Sequence, residues 1–329
     1  MSDAALMHGA TPSYDAAHDS AIVVPRVDRV QMRARGRDPV RMIQGLITND
    51  LENARSGHAV YATMLTPKGR MVADLRIVRQ DDGSVLLDLD RGALDAFVAH
   101  VKKYVPPMFA HFEAVVPERV VVGVYGPRAA AVVRAATQLD VADDAAEYAT
   151  THRDHVLAIA TRDAGVPGFD LFIDAERGAS LEAALVDAGA VAADAEVLDV
   201  LRVEAGRPRW GAELDDSRIP LEADLLERAI STSKGCYTGQ EVIIRILHRG
   251  HVNWHLRGLL LGDAPPPPPG TELAVDGRTV ARVTSAVRSP RLGETIALAY
   301  VRREVEPGRT LQLADGAPAT VVALPFPTK

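Results

Sequence analysis

Apolar and polar residues alternate in runs that first form a clear strand pattern near the middle of the N-terminal half. Apolar side chains dominate residues 60–65 and 71–78, and a Pro-Lys-Gly turn at residues 67–69 separates these runs. A second turn at residues 81–84 leads into a third apolar run over residues 85–89. Short apolar runs bounded by turn residues predict an antiparallel meander of three strands.

A helical period follows this meander. Leu94, Phe97, Val98, Val101 and Tyr104 recur at helical spacing, and a Pro-Pro pair ends the pattern. Further strands are predicted at residues 112–116, 120–124, 155–161 and 169–174, and further helices at residues 128–139, 179–188, 195–205 and 220–230. This irregular order predicts an α+β fold rather than regular βαβ units.

The two ends of the chain differ from this middle part. Strand-like alternation returns after Gly250, and turn residues separate segments at residues 271–275, 279–286, 295–301 and 310–313. Residues 251–329 are therefore predicted to form a small C-terminal β-barrel. A proline run at residues 265–269 is predicted to be an extended surface loop between strands. Residues 1–20 are small and polar without a period, so we expect a disordered tail there.

The composition narrows the classes of function. The chain has 329 residues, of which 47% are hydrophobic, and this is enough for two or three compact units. A net charge of −7 argues against a broadly basic surface, so direct nucleic-acid binding is not expected. No stretch approaches the roughly 20 apolar residues that a membrane helix needs. A single cysteine cannot form an internal disulfide, and the first residues lack signal-peptide features, so we expect a cytoplasmic protein.

The strongest candidate for chemistry is the loop Lys-Gly-Cys-Tyr-Thr-Gly-Gln-Glu at residues 234–241, which contains the single cysteine. An apolar, helix-like run follows, so the pattern predicts a loop that leads into a helix start. The free N–H groups of such a start, together with Lys234, would lower the pKa of the Cys236 thiol. Gly235 and Gly239 would allow a positive φ or a close approach to a ligand. A buried and inert structural cysteine would explain the same residues.

This loop, followed by an apolar helix and Arg-Gly, resembles the signature of the folate-binding YgfZ family. That family includes mitochondrial iron-sulfur assembly factors and is itself similar to the glycine cleavage T-protein, an aminomethyltransferase. Further blocks resemble the family in the same order, at residues 44–51, 65–70, 73–75, 202–206 and 220–223. The resemblance implies a T-protein-like α+β fold with a C-terminal β-barrel.

The resemblance also implies how the first part of the chain is arranged and what it binds. Residues 21–250 would form two interleaved α+β units, about 21–110 with 190–250, and 111–189. A central cavity between them would bind tetrahydrofolate or a one-carbon derivative, with Cys236 as the reactive or ligand-contacting thiol. The candidate folate-binding residues are Asn49, Asp50, Arg202, Glu204, Lys234, Gly235, Tyr237, Gly239, Gln240, Glu241 and Arg245.

Several of these residues have simpler explanations. The resemblance implies that Glu204 helps to hold the folate pterin, whose amidine edge suits a bidentate carboxylate. A salt bridge of small energy at the rim would explain the Arg202 and Glu204 pair as well. Asn49 and Asp50 could instead form a plain Asx turn. The basic cluster at Arg245, His248, Arg249 and His251 could meet the polyglutamate tail of a folate or an RNA phosphate, or simply complement the helix dipole.

Asp74 is the second candidate catalytic residue. Alternation along its strand favours the solvent face, where an aspartate needs no function. T-proteins carry an adjacent acidic pair at this block, and one member of the pair assists one-carbon transfer. This chain has Ala73 and Asp74 there, so a single acid is present. The departure weakens the case for aminomethyltransferase chemistry.

Three functions stay open from the sequence. The main expectation is a folate-binding accessory protein for iron-sulfur cluster assembly or repair that acts through Cys236. Its partners would be iron-sulfur proteins or assembly factors, and its effect on tRNA modification would be indirect. The second is a folate-dependent aminomethyl or one-carbon transferase with Asp74 as the key acid, and the third is a non-catalytic folate-binding module. No metal site is predicted. His248 and His251 could combine only with the single thiol of Cys236, and the sequence has no second His/Cys cluster to complete a tetrahedral site.

Overall fold

The computed structural model of the protein describes residues 11–275 and 277–327. Within these residues the chain forms eight α-helices and seventeen β-strands. The helices are α1 (Pro12–Asp19), α2 (Pro39–Gln44), α3 (Leu94–Tyr104), α4 (Ala129–Thr137), α5 (Ala175–Asp187), α6 (Ala195–Glu204), α7 (Leu226–Ala229) and α8 (Gln240–Arg249). The strands are β1 (Ile22–Pro25), β2 (Arg29–Arg35), β3 (Val60–Leu65), β4 (Met71–Arg79), β5 (Val85–Asp90), β6 (His111–Ala114), β7 (Arg119–Tyr125), β8 (Thr150–Arg153), β9 (Val156–Thr161), β10 (Gly168–Asp174), β11 (Val191–Ala192), β12 (Trp254–Leu260), β13 (Glu272–Val275), β14 (Arg278–Ser289), β15 (Glu294–Arg302), β16 (Thr310–Gln312) and β17 (Pro318–Val322).

The first sheet contains the predicted meander, which is confirmed. β3, β4 and β5 pair antiparallel in sequence order, and the whole sheet has the order β3-β4-β5-β2-β6. One face packs against α2 and α3 around Phe97. The other face packs against the second sheet through Val78, Leu86 and Phe172. Because both faces are buried, these strands are apolar almost throughout.

The second sheet has the order β11-β1-β7-β10-β9-β8, and α4 and α5 cover one of its faces. β1 lies between β7 and β11, which buries Ile22, Val23 and Val24. β1 and β11 therefore belong to this sheet, whereas β6 belongs to the first. The predicted division into residues 21–110 with 190–250, and 111–189, is corrected at these edges, because strand pairing rather than sequence order assigns the strands.

The predicted disordered tail over residues 1–20 is corrected in its second half, because α1 forms there. Thr11 caps the helix by accepting a hydrogen bond from the N–H of Tyr14 at 3.3 Å, and Pro12 lies in the first turn. Tyr14 and Ala17 are buried where α1 contacts β1 and α6. Burial of this face stabilises a helix too short to form alone. Residues 1–10 lie outside the described residues.

The third sheet is the predicted C-terminal barrel, which is confirmed. Its six antiparallel strands have the order β13-β14-β15-β12-β17-β16, and the edge strands β13 and β16 contact each other, so the sheet nearly closes. Leu259, Leu273 and Val321 are buried inside it. The proline run at residues 265–269 lies between β12 and β13, as predicted.

Helix α6 connects the three parts. Asp194 caps its start by accepting hydrogen bonds from the N–H groups of Glu196 and Val197, both at 3.0 Å. The helix contacts α1 and β1 on one side and β14 and β15 of the barrel on the other. A central cavity lies between α6, the first sheet and the connection from β1 to β2.

Candidate functional site

Cys236 is exposed in the loop that precedes α8. The helix begins at Gln240, and its N-cap Gly239 has a left-handed φ of 83°, which confirms the predicted loop-to-helix geometry. A Cβ at Gly239 would lie 2.6 Å from the carbonyl oxygen of Thr66 on the β3–β4 turn, so only glycine fits there. The thiol lies three residues before the N-cap, which is ahead of the turn where helix-end groups act.

The hydrogen-bond partners of Lys234 are backbone carbonyls rather than the Cys236 thiol. Its amino group donates hydrogen bonds to the backbone carbonyls of Gln44 at 2.6 Å, Ile47 at 2.7 Å and Asn49 at 3.0 Å. Gln44 ends α2, so the lysine satisfies a carbonyl that the helix leaves free. Burial lowers the pKa of Lys234 to about 8. The amino group is bound to these carbonyls, and activation of Cys236 by its charge stays a prediction.

The remaining loop candidates are packed or exposed away from the cavity. Tyr237 is buried in a cluster with Leu65 and Ile243, and its ring lies 5.0 Å from the Lys234 amino group. Glu241 and Arg245 are exposed on α8, Gln240 is half-buried, and Gly235 has open space around it. The described lining of the central cavity includes none of the loop candidates Lys234, Gly235, Cys236, Tyr237, Gly239, Gln240, Glu241 and Arg245. Cys236 is therefore not among the described lining residues, and its contact with a ligand stays a prediction.

The central cavity has a volume of about 310 Å³, which is within the range of small-molecule sites. β3 supplies Tyr61, and the loop after α6 supplies Pro208 and Trp210. Charged side chains of both signs dominate the rest of the lining. They are Arg26, Asp28, Arg29, Asp74, Arg76, Asp90, Asp163, Asp199, Arg202, Arg207, Arg209 and Arg228.

Asp74 is the candidate acid of this cavity. It is 8% exposed, so it does not lie on a solvent face. The Tyr61 hydroxyl donates a hydrogen bond to Oδ2 at 3.0 Å, whereas Oδ1 is buried and has no hydrogen-bond partner among the described residues. Burial raises the pKa of the Asp74 carboxyl, and the charge of Arg29 and the Tyr61 hydrogen bond offset this only in part. A carboxyl of this kind can exchange a proton with a bound ligand.

Two tyrosines and an arginine form the wall beside Asp74. The rings of Tyr61 and Tyr148 are stacked 5.5 Å apart, and the Arg228 guanidinium lies 5.0 Å from the Tyr61 ring. Arg228 donates hydrogen bonds to the Tyr148 hydroxyl at 2.6 Å and to Asp163 at 3.0 Å. Burial opposes ionisation of Asp163, but Arg228 and neighbouring arginines lower its pKa overall. Its side chain is 40% exposed, so water moderates this effect.

Beneath the cavity lies a second charged network, which the sequence reasoning missed. Asp170 on β10 is fully buried and accepts hydrogen bonds from the Tyr125 hydroxyl at 2.5 Å and from Arg76 at 2.6 Å. Arg26 lies 3.5 Å from the same carboxylate, and Arg76 also pairs with Asp88 at 2.6 Å. The available signal was the presence of charged residues inside otherwise apolar strands, Arg76 in β4 and Asp170 in β10, since a buried charge must be paired.

Arg202 is the predicted α6 residue that lines the cavity. Its guanidinium is held by Asp199 at 2.6 Å, Glu213 at 2.9 Å and the Ser285 hydroxyl at 2.6 Å. Three partners on two separate parts of the fold fix the position of this side chain. The residue therefore remains a candidate for contact with a ligand.

Glu204, two residues further along α6, points to other partners. Its carboxylate accepts hydrogen bonds from the Tyr14 hydroxyl at 2.8 Å and from the Ser289 hydroxyl, so it joins α1 to the barrel. It is 3% exposed and is not part of the described lining of the central cavity. The two hydroxyls leave further acceptor positions on the carboxylate, and a role of Glu204 in holding the pterin stays a prediction.

Asn49 and Asp50 act on the backbone rather than in the cavity. The Asn49 side chain donates hydrogen bonds to the carbonyls of Tyr61 at 2.9 Å and Arg228 at 3.3 Å. Asp50 accepts the N–H of Asn53, three residues further on, at 3.1 Å, so it stabilises its own turn. Neither residue belongs to the described lining, and their expected contact with folate stays a prediction. Asn49 supports two residues that do line it.

The cavity can bind a polar, planar ring. Asp74 Oδ1 is a free acceptor, and the buried Nε of Arg228 is a free donor among the described residues. A heterocycle with N–H groups and a carbonyl carries donors and an acceptor of the complementary kind. In the described part of the chain, no group of three or more His, Cys, Asp or Glu side chains could hold a metal ion. No helix there is long and apolar enough to cross a membrane.

Comparison with known proteins agrees with this architecture. Residues 10–234 match the GCVT N-terminal domain, and residues 255–327 match the glycine cleavage T-protein C-terminal barrel domain. The chain is 30% identical to an aminomethyltransferase of Moorella thermoacetica, with 90% of this chain and 83% of that protein covered. It is 27% identical to an aminomethyltransferase of Nostoc sp., with 97% and 88% covered. The crystal structure of glycine cleavage system aminomethyltransferase T from Bartonella henselae has a TM-score of 0.86 at 20% identity, with 96% and 88% covered, and confirms the T-protein-like fold. The chain belongs to the glycine cleavage T-protein family.

Proposed function

We propose that the protein binds tetrahydrofolate in the central cavity and transfers a one-carbon unit there. In this proposal Asp74 donates or accepts the proton that the transfer requires. Aminomethyltransferases use tetrahydrofolate as the one-carbon carrier. Relatives that align with most of this chain bear that name. The observation that carries the proposal is the free, buried Oδ1 of Asp74 in a cavity of about 310 Å³.

The residues present fit the pterin ring of this cofactor. A pterin has N–H donors beside a carbonyl, and Asp74 Oδ1 and Arg228 Nε supply the matching acceptor and donor. Tyr61 and Trp210 add aromatic surface to the lining. When bound, tetrahydrofolate supplies the ring nitrogen that carries the one-carbon unit.

The Asp74 carboxyl then holds a proton and exchanges it with the bound ligand. Because burial raises the pKa of Asp74, its carboxyl can hold a proton closer to neutral pH than an exposed aspartate can. The Tyr61 hydroxyl fixes Oδ2 and leaves Oδ1 for the ligand. Arg228 donates hydrogen bonds to Tyr148 and Asp163 and so fixes the wall next to Tyr61.

The test is Asp74→Asn, which keeps the size of the side chain and removes its proton. We expect one-carbon transfer to fall by about 100-fold or more, the usual contribution of a general acid or base. Tetrahydrofolate affinity, measured by isothermal titration calorimetry, should change by less than about fivefold, because the amide can still accept a hydrogen bond. Cys236→Ser is the control and should keep both properties. Transfer at the wild-type rate in Asp74→Asn would contradict the proposal.

A second candidate is the accessory function in iron-sulfur cluster assembly or repair, which rests on the resemblance of the cysteine loop to the YgfZ family. The observation that favours it is an exposed Cys236 ahead of a helix that also exposes Ile244 and Leu247. A lone thiol cannot hold a cluster by itself, so a partner protein would share any contact. Here Cys236→Ser should abolish recovery of iron-sulfur tRNA-modifying enzymes in cells that lack the protein. A non-catalytic folate-binding module predicts no effect of either substitution on function.

A further inference from the structure

Strand β6 forms one edge of the first sheet. It pairs with β2 over residues 111–114, and in the described part of the chain no strand pairs with its other side. Apart from the ladder with β2, no described backbone group forms a hydrogen bond with the backbone of these four residues. A free edge of this kind is a template on which a further strand can pair.

The free backbone groups of this edge belong to Phe112 and Ala114. The N–H of Gln80 donates to the carbonyl of Ser84 at 2.9 Å, which shows that even-numbered residues link β4 to β5. Hydrogen-bonded pairs alternate along antiparallel ladders, so the odd-numbered residues of β2 face β6. Their partners in β6 are also odd-numbered. The N–H and C=O groups of residues 112 and 114 therefore point outward.

The side chains of the edge suit pairing with an identical strand. His111 and Glu113 lie on the same face of β6, and both are exposed. When two copies of β6 pair antiparallel about Phe112, His111 of each copy lies opposite Glu113 of the other. Pairing about Glu113 would instead place two glutamates opposite each other, which is unfavourable. Charge therefore favours the register that also pairs the free groups of Phe112 with each other.

Two exposed apolar side chains flank this edge at equal distances. Met108 and Val116 are 75% and 81% exposed. Each lies four residues from Phe112, on opposite sides of it, so the same two-fold axis brings Met108 of one copy toward Val116 of the other. Their burial would add a hydrophobic contribution at both ends of the paired strands.

We propose that the free edge of β6 binds a second copy of this chain, antiparallel about Phe112, in a symmetric dimer whose first sheets are continuous. A strand of an unrelated protein could also use a free edge, but the symmetric placement of His111 and Glu113 fits an identical partner. The described lining of the central cavity includes none of residues 108–116, so the dimer is independent of the proposed folate function. Because β6 has only four residues, the interface is small and the dimer is weak.

The first test combines sedimentation velocity with amide hydrogen exchange of the full chain, at concentrations between about 1 and 500 µM, where weak dimers dissociate and form. We expect a monomer at the low end and a dimer at the high end. The amides of Phe112 and Ala114 should exchange at least about tenfold more slowly at the high end, because they gain a partner. The amides of His111 and Glu113 already face β2 and should keep their rates.

Substitutions test the register. Glu113→Lys should raise the dissociation constant of the dimer by about tenfold, because symmetry counts the change twice. The double variant His111→Glu with Glu113→Lys restores opposite charges across the axis and should recover most of the affinity. Val116→Glu should weaken the dimer, whereas Val186→Glu, at an exposed apolar residue of α5, is the control and should not. Glu113 also lies 3.3 Å from Arg35, so thermal unfolding checks that each variant is folded.

Three results would overturn the proposal. A monomer at every concentration would exclude the dimer. A dimer in which the amides of Phe112 and Ala114 stay unprotected would use another surface. Equal dissociation constants for Glu113→Lys and the double variant would show that His111 and Glu113 do not face each other, and the register about Phe112 would be wrong.

Discussion

The buried carboxyl of Asp74 links folding to pH. Its pKa in the folded protein is raised above the ordinary value of 3.8, first of all by burial. The group therefore contributes stability below its unfolded pKa, and this stability is lost as the pH rises through the folded pKa. Asp74→Asn has no such proton to lose. We expect its Tm to exceed that of the wild type near neutral pH, and the difference to shrink as the pH falls below the unfolded pKa. A Tm difference independent of pH in thermal unfolding would contradict this.

Arg228 lines the central cavity, but local sequence patterns could not predict that it belongs to the site. Its partners Tyr61, Tyr148 and Asp163 come from three distant segments, so neither spacing nor period along the chain places them together. Asp74 and Arg202 were within reach of sequence reasoning because each belongs to a recognisable block. The fixed positions of their neighbours depend on pairing between sheets, which no local pattern encodes.

Replacement of Arg228 by methionine keeps an unbranched apolar stem and removes the donors of the side chain. We expect a loss of about 1–3 kcal/mol in the free energy of unfolding, since the Tyr148 hydroxyl and Asp163 lose a charged partner. Urea denaturation measures it. The matched variant Arg228→Lys keeps the charge beside the Tyr61 ring and should recover part of the loss. Equal stability of Arg228→Met and the wild type would remove this residue from the wall of the site.

At the scale of elements, the cysteine loop at residues 234–241 contains two glycines that differ in whether a side chain would fit. Gly239 has a φ of 83°, and a Cβ there would lie 2.6 Å from the Thr66 carbonyl oxygen. Gly235 has nothing within 4 Å of an added Cβ and no left-handed φ. We expect Gly239→Ala to lower the free energy of unfolding by about 1–3 kcal/mol. Gly235→Ala should change it by less than about 0.5 kcal/mol. Similar denaturation curves for the two variants would contradict the geometry.

The lysine of the same loop stabilises α2 rather than a reactive thiol. Lys234→Met should lower the free energy of unfolding by about 2–4 kcal/mol, because three backbone carbonyls lose their donor at once. Arg245→Gln, on the exposed face of α8, is the control and should change stability by less than about 0.5 kcal/mol. The rate of thiol alkylation at Cys236 should stay unchanged in Lys234→Met. A large fall in that rate would restore the predicted activation of the thiol.

Elements whose hydrophobic period lies in consecutive residues were predicted correctly. Elements that depend on strand pairing or on a single backbone angle were not. The meander, α3 and the barrel strands carry their period in consecutive residues. The helix predicted over residues 220–230 instead forms a 3-10 turn and the short α7, because Asp224 has a left-handed φ of 58°. α1 was missed because its sequence is polar overall and only Tyr14, Ala16 and Ala17 are buried.

For the whole molecule, Glu204 joins parts that lie far apart in the sequence. It accepts hydrogen bonds from Tyr14 on α1 and Ser289 at the end of β14, so one carboxylate links the N-terminal helix to the barrel. The family resemblance of the block at residues 202–206 implied a ligand contact for this glutamate. It could not show that the partner is another part of the same chain. The arrangement of the three sheets around α6 decides between these roles.

Substitution of Glu204 by glutamine separates the two roles. We expect the free energy of unfolding to fall by about 1–3 kcal/mol, since an amide accepts fewer hydrogen bonds than the carboxylate from these hydroxyls. Affinity for tetrahydrofolate should not fall, because Glu204 is not part of the described lining of the central cavity. Tyr14→Phe removes one of the same hydrogen bonds without a change in the described lining of the central cavity, so it should lose stability alone and serves as the matched control. A fall of tenfold or more in tetrahydrofolate affinity at unchanged stability would instead show that the glutamate contacts the ligand.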